Sequence, residues 1–144
     1  MTGEYLQLRQ IAFVSPTKKI GVDLNPGVNV ICGASETGKS FLAESIDFML
    51  GGSELREIPE RDHYAEVVLD LAFSNGESWR LLRAISGGAF TLVDLGVKDA
   101  EAQVLSQRHS SGQTDNISGF LLDKIGLLGK RILRQGRRCI GPEP

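Results

Sequence analysis

One run of eight residues carries the clearest chemistry in this sequence. It matches the spacing G-x-x-x-x-G-K-[ST] at every fixed position. Glycines allow several consecutive backbone N–H groups to turn towards an anion, and a helix that begins directly afterwards adds its own free N–H groups. The run therefore predicts a site for a nucleoside triphosphate and magnesium, formed by Gly33, Ala34, Ser35, Glu36, Thr37, Gly38, Lys39 and Ser40.

Two residues of this run have individual roles in the prediction. The ammonium group of Lys39 is expected to reach the β- and γ-phosphate oxygens as a mobile point charge. The hydroxyl group of Ser40 is expected to coordinate a magnesium ion that bridges the same phosphates. Because the two roles need different chemical groups, substitutions at the two positions test them separately.

The segments on both sides of the run are predicted to position it. Residues 28–32 form a β-branched stretch after the turn sequence Asn-Pro-Gly, which predicts a strand buried on both faces with Cys32 as a small buried side chain. Residues 39–50 lack helix breakers until Gly51 and Gly52, which predicts a helix. Its apolar face is expected to pack on a sheet and consists of Phe41, Leu42, Ile46, Met49 and Leu50.

The remaining sequence predicts mostly strands. Alternation of apolar and polar residues indicates a hairpin at 5–14 and 19–24, and three strands at 64–73, 78–85 and 89–95 joined by glycine turns. A helix capped by Asp115 is predicted to extend through Leu128. Together these elements predict an α/β fold with a mixed sheet that contains an antiparallel meander. The side chains expected in the core are Trp79 and, on one side of this helix, Ile117, Phe120, Leu121 and Leu128.

Length and composition suit one domain of modest size. The chain has 144 residues, 41% of them hydrophobic, and we expect a lobe at 1–128 followed by a basic, flexible tail at 129–144. Because there is no signal-peptide pattern, no membrane-length apolar run and only two cysteines, we expect a cytoplasmic protein without membrane contact. A basic tail can hold DNA by counterion release, although without interleaved aromatic residues a solvated end is the alternative. The basic character extends from Lys124 to Pro142, and its cationic residues are Lys124, Lys130, Arg131, Arg134, Arg137 and Arg138.

A phosphate-loop hydrolase also needs an acidic residue at the end of a second strand, where it holds magnesium. The sequence offers two candidates for this residue. Asp70 and Asp94 each end a short apolar run, but leucine rather than a second acid follows each of them. They remain weak candidates for magnesium ligands. His63 and His109 stand alone in polar segments and are expected to be solvated.

The order of these features resembles the N-terminal lobe of SMC- and SbcC-type ABC-class ATPase heads, which act in chromosome maintenance and double-strand-break repair. The resemblance covers residues 5–128 and is specific at 28–52. That family commonly reads G-x-N-G-x-G-K-[ST], whereas this loop has Ser35 and Glu36 in place of Asn-Gly, so a negative charge lies beside the phosphates. The resemblance implies a P-loop NTPase N-terminal lobe with a P-loop helix, binding ATP and Mg²⁺.

In that family the site is divided between two lobes. The resemblance therefore implies a second lobe, in cis or in trans as in a homodimer, that supplies the signature motif, the magnesium aspartate and the catalytic glutamate. It also implies a glutamine loop, for which Gln107, Gln113 and Gln135 are candidates. We expect this chain to be the first lobe alone, produced by truncation, a split gene or a frameshift, and to hydrolyse ATP poorly by itself. The alternatives are a self-contained small kinase or GTPase and a non-catalytic interaction module.

Overall fold

The computed structural model describes residues 4–33, 38–130, 132–133 and 139–140. Two helices and eight strands lie in these ranges, with a short 3₁₀ turn at Pro59–His63. The helices are α1 (Lys39–Met49) and α2 (Ile117–Lys124). The strands are β1 (Leu6–Val14), β2 (Lys19–Asp23), β3 (Glu66–Phe73), β4 (Ser78–Ala84), β5 (Phe90–Asp94), β6 (Gln103–Leu105), β7 (Ile132–Leu133) and β8 (Cys139–Ile140).

The main sheet has six strands in the order β2-β1-β3-β4-β5-β6, and every neighbouring pair is antiparallel. The hairpin and the meander predicted from alternation are therefore confirmed. A bulge between Leu8 and Gln10 interrupts the pairing of β1 with β3. The pairing aligns Val67 of β3 with Phe13 on one side and with Arg83 on the other.

One face of the sheet forms the core with both helices. Successive side chains of a strand point to opposite faces, so Val67, Leu69 and Leu71 share the face that packs against α1. The α1 residues Phe48 and Met49 are fully buried there. Helix α2 packs through Phe120, whose ring lies edge-on to Phe73 and Trp79 at centroid distances of 6.1 and 5.5 Å. The predicted core roles of Trp79, Ile117, Phe120 and Leu121 are confirmed.

The predicted buried strand before the phosphate loop is wrong. Residues 28–33 have no strand assignment, and the side chains of Val28 and Val30 are 93% and 79% exposed. Cys32 is exposed as well, not buried. A strand buried on both faces needs hydrogen-bonded neighbours, and among the described residues no strand pairs with this segment. For the same reason the described sheet is antiparallel throughout rather than mixed.

Two further details differ from the sequence-based expectation. Helix α2 begins after Asn116 rather than Asp115, because the Asn116 side chain accepts a hydrogen bond from the amide of Gly119 and so caps the helix. It ends at Lys124, so Leu128 lies outside it, and Gly126 beyond the end has a φ of 73°. The short strand β6 had no alternation long enough to predict it.

The segment predicted to be a flexible tail contains a short antiparallel ladder between β7 and β8. The arginines at 131, 134, 137 and 138 lie outside the described residues, so their contact with DNA stays a prediction, as does the boundary at residue 128. Neither α1 nor α2 is long and apolar enough to cross a membrane, and the same holds for every helix in the described ranges.

Candidate functional site

The predicted phosphate loop meets helix α1 at a left-handed glycine. Gly38 has φ 88° and ψ 8° and forms the N-cap of the helix, a conformation that side chains with a Cβ atom adopt only with strain. Lys39 and Ser40 follow in the first turn and are exposed, and Gly33 is exposed on the other side of the loop. The intervening predicted residues, Ala34, Ser35, Glu36 and Thr37, lie outside the described residues.

The amino end of α1 has the electrostatics of an anion site. The first hydrogen bond of the helix runs from the amide of Leu42 to the carbonyl of Gly38, so the amides before Leu42 have no partner within the helix. Among the described residues no side chain caps this end, and no acidic residue lies in the first turn. The ammonium group of Lys39 donates to the carbonyl oxygen of Gly33. These amides, the positive end of the helix dipole and this ammonium group together favour a bound anion.

A largely apolar cleft adjoins the loop. Its volume is about 520 Å³, and it lies between the β1–β2 hairpin, the segment before the loop and the start of α1. Phe13 and Phe41 line it, and their rings stack at a centroid distance of 5.5 Å, with Tyr64 6.2 Å beyond Phe13. A cleft of this size and character can accept a flat organic group attached to phosphates held at α1.

The two aspartates considered as magnesium ligands have other partners. Asp70 lies on the face of the sheet opposite α1, because it alternates with the core residues of β3, and it accepts hydrogen bonds of 2.7 and 2.9 Å from Arg80. This bond raises the pKa of Arg80. Asp94 accepts a 2.8 Å hydrogen bond from the amide of Gly96 in a turn. Within the described parts of the chain, no three His, Cys, Asp or Glu residues are grouped to hold a metal ion.

The histidines and glutamines are placed as follows. His63 and His109 are exposed, as predicted, and His109 Nδ1 lies 2.7 Å from the hydroxyl oxygen of Ser118. Gln113 is exposed in the loop before α2, where its backbone oxygen accepts from Asn116. Gln107 is also exposed, but its side chain reaches a buried arginine. Gln135 lies outside the described residues.

That arginine, Arg83, is the residue that sequence reasoning missed. It is 1% exposed and contacts the carboxyl end of α1. A signal was available in β4, where Arg83 shares the parity of Trp79 and Leu81 and must therefore point to the core face. A cation at a core position of a strand has to find buried hydrogen-bond acceptors.

Comparison with known families decides what kind of domain this is. A family described as an AAA domain matches residues 6–126, the range that contains both helices and the whole six-stranded sheet. The chain belongs to this AAA domain family. Membership supports a nucleotide-binding, ATPase-type function for the AAA domain, and such domains generally bind ATP with Mg²⁺. No curated protein matches the chain in sequence.

The described residues of the AAA domain suit that ligand pair. The amides at the start of α1 and the ammonium group of Lys39 are hydrogen-bond donors suited to phosphate oxygens, and the exposed residue Ser40 carries a hard oxygen ligand of the kind magnesium prefers. No acidic side chain lies in the first turn of α1, so this turn adds no repulsion to that expected from Glu36.

Proposed function

We propose that residues 33–40 bind Mg-ATP and that this chain is the ATP-binding lobe of an SMC/SbcC-like ATPase. The observation that carries the proposal is the amino end of α1. There a left-handed Gly38, an uncapped first turn and the exposed Lys39 and Ser40 occur together in a domain of the AAA family.

Each residue has a defined part in this binding. The backbone amides at the start of α1 would donate to phosphate oxygens, and the ammonium group of Lys39 would exchange the carbonyl of Gly33 for the β- and γ-phosphates. Ser40 would hold the magnesium ion, which supplies charge neutralisation between the same phosphates. The cleft beside Phe13 and Phe41 would receive the base.

A second lobe, in cis or in trans, is the partner that the surface supports. Val28, Val30 and Ile31 expose apolar side chains directly before the loop, where a strand could be added by pairing with another chain or segment. Asp70 is held by Arg80 on the face of the sheet opposite α1, so it is not placed to serve as an acid near Ser40, and we propose that the second lobe supplies that acid. A homodimer of this chain, formed through the same exposed segment, is the alternative assembly.

Thermal unfolding with and without Mg-ATP tests the binding site. A ligand present at about one hundred times its Kd stabilises the folded state by about 2.7 kcal/mol, so the melting temperature of the wild-type chain should rise. Lys39→Ala should weaken binding about tenfold or more, because it removes a charged hydrogen-bond donor. Lys98→Ala is the matched control, since Lys98 is an exposed lysine in a turn beyond β5. Equal stabilisation of wild type and Lys39→Ala would contradict the role assigned to Lys39.

Turnover and assembly separate this proposal from the alternatives. The purified chain should hydrolyse ATP slowly, whereas fast turnover by the chain alone would favour a self-contained kinase or GTPase. Its mass in solution, measured by light scattering with and without Mg-ATP, tests the homodimer. A role in chromosome maintenance or double-strand-break repair belongs to the same proposal, and salt-dependent binding to duplex DNA would support it.

A further inference from the structure

Arg83 is a cation enclosed in the core of the domain. Its side chain is 1% exposed, and the guanidinium carbon lies 4.1 Å from the centre of the Phe48 ring and 4.3 Å from that of Phe90. Burial lowers the pKa of Arg83. An arginine nevertheless keeps its charge in proteins, so the surroundings have to compensate for a full positive charge.

Backbone carbonyl groups provide most of that compensation. Nη1 donates to the oxygens of Phe48 at 2.8 Å and Gly52 at 2.6 Å, and Nε donates to the oxygen of Gly88 at 2.9 Å. Phe48 is in the last turn of α1, where the negative end of the helix dipole favours a cation. Arg83 therefore holds the carboxyl end of the helix whose amino end forms the candidate phosphate site.

The remaining hydrogen-bond acceptor of Arg83 is the side chain of Gln107, whereas the other three acceptors are backbone carbonyl groups. Its Oε1 atom accepts a 2.7 Å hydrogen bond from Nη2 of Arg83, the one described side-chain oxygen bound to this guanidinium. Gln107 is exposed and lies in the loop between β6 and α2. The exposed Gln107 thus contacts the buried Arg83, which is hydrogen-bonded to the carboxyl end of α1. Helix α1 is about 16 Å long and extends from this contact to the phosphate loop.

We propose that Arg83 is a positioning residue that couples the Gln107 loop to helix α1. When Gln107 is withdrawn, Nη2 loses its acceptor inside the core, the guanidinium shifts and the last turn of α1 loosens. We infer that this loosening shifts the axis of α1, which would displace the amino end as well. The effect on phosphate binding rests on the proposed function, whereas the coupling between Gln107 and α1 does not.

The first experiment needs no nucleotide. Amide hydrogen exchange is measured across residues 39–52 in the wild-type chain, in Gln107→Met and in Arg80→Met. Gln107→Met removes only the acceptor and should speed exchange at the carboxyl end of α1. Arg80→Met is the matched control, because Arg80 is on the same strand but pairs with Asp70 on the opposite face, so it should leave exchange in α1 unchanged. Unchanged exchange in Gln107→Met would overturn the coupling.

The second experiment adds Mg-ATP to the same proteins. Gln107→Met should bind it about fivefold more weakly than wild type, at the low end of measured couplings between sites. Gln107→Glu keeps an oxygen acceptor and should restore wild-type affinity, which a general loss of stability would not explain. If wild type and Gln107→Met bind Mg-ATP equally well, Gln107 does not influence the phosphate site, and that part of the proposal is overturned. If wild type binds no Mg-ATP, the proposed function fails, and the exchange comparison still decides the link between Gln107 and α1.

Discussion

The side-chain oxygen of Asn116 accepts a 2.7 Å hydrogen bond from the amide of Gly119, and this contact begins helix α2. Asn116 is fully buried, and its amide nitrogen donates to the carbonyl oxygens of Ser110 and Gln113. A Cβ atom at position 119 would lie 1.8 Å from the Gln113 oxygen. Glycine at 119, which lowers helix propensity, is therefore required by the loop that packs against the cap.

Removing this cap should destabilise the domain much more than removing the acid beside it. Asn116→Ala should lower the free energy of unfolding by about 2 kcal/mol, the upper end for helix caps, because two loop carbonyls lose their donor as well. Asp115→Ala should cost only about 0.5 kcal/mol, because it removes a single 3.3 Å hydrogen bond that the exposed Asp115 carboxylate accepts from the Asn116 side chain. Urea denaturation of both variants measures the difference. Equal losses would mean that Asp115 contributes to the cap after all.

The left-handed glycine before α1 should matter for nucleotide binding beyond its effect on stability. Gly38→Ala and Gly76→Ala introduce a Cβ atom at φ values of 88° and 90°, and neither atom would meet a neighbour within 4 Å in the described part of the chain. Both should therefore cost about 1–2 kcal/mol of stability through backbone strain alone. Gly76 is in the β3–β4 turn, so only Gly38→Ala should weaken Mg-ATP binding in calorimetry. Equal affinities in the two variants would remove Gly38 from the site.

Acid should weaken the attachment of α2 to the sheet. Lys124 lies 2.7 Å from Glu77, and this hydrogen bond, assisted by Asn75, holds the pKa of Glu77 below its ordinary value despite some burial. A carboxyl group whose pKa is lowered by folding stabilises the folded state above its unfolded pKa, about 4.3, and loses that contribution as the pH falls through the folded value. The melting temperature of wild type should therefore decrease below about pH 4 more steeply than that of Glu77→Gln.

Lys124→Met tests the same pH dependence by removing the other partner of the Lys124–Glu77 ion pair. It removes the cation that lowers the pKa of Glu77, so its melting temperature should follow the shallow pH profile of Glu77→Gln. A steep acid profile that persists in both variants would assign the pH dependence to other carboxyl groups.

The exposed segment before the loop should tolerate charge in the isolated chain. Val30→Lys should change the free energy of unfolding by less than about 0.5 kcal/mol, because this side chain is already in solvent. Val67→Lys, in the fully buried part of β3, should prevent folding. If residues 28–32 pair with a second lobe, Val30→Lys should abolish that assembly in light scattering while the folded monomer persists. A large loss of stability in Val30→Lys would show that the segment is already packed.

Much of the fold could be predicted because it depends on local pattern. Alternation along residues 5–14, 64–73 and 78–85 decides which face of each strand is apolar, and an antiparallel meander pairs strands that are adjacent in sequence. Helix α1 was predictable from the absence of breakers up to Gly51. The fully buried Phe48 was absent from its predicted apolar face, because it lies at the edge of that stripe and is enclosed by Arg83.

The candidate site is predicted from a spacing of residue types, since the run at 33–40 needs only its own backbone and the helix that follows. The sequence by itself therefore determined the loop motif, the helix at its end and the meander. Only the tertiary structure decided that residues 28–32 stand exposed, that Asn116 caps α2 and that Arg83 joins α1 to Gln107. The physical reason is that the burial and the hydrogen-bond partners of a residue depend on neighbours that are distant in sequence. A local sequence pattern shows which face of a strand or helix is apolar, but it does not show which other element covers that face.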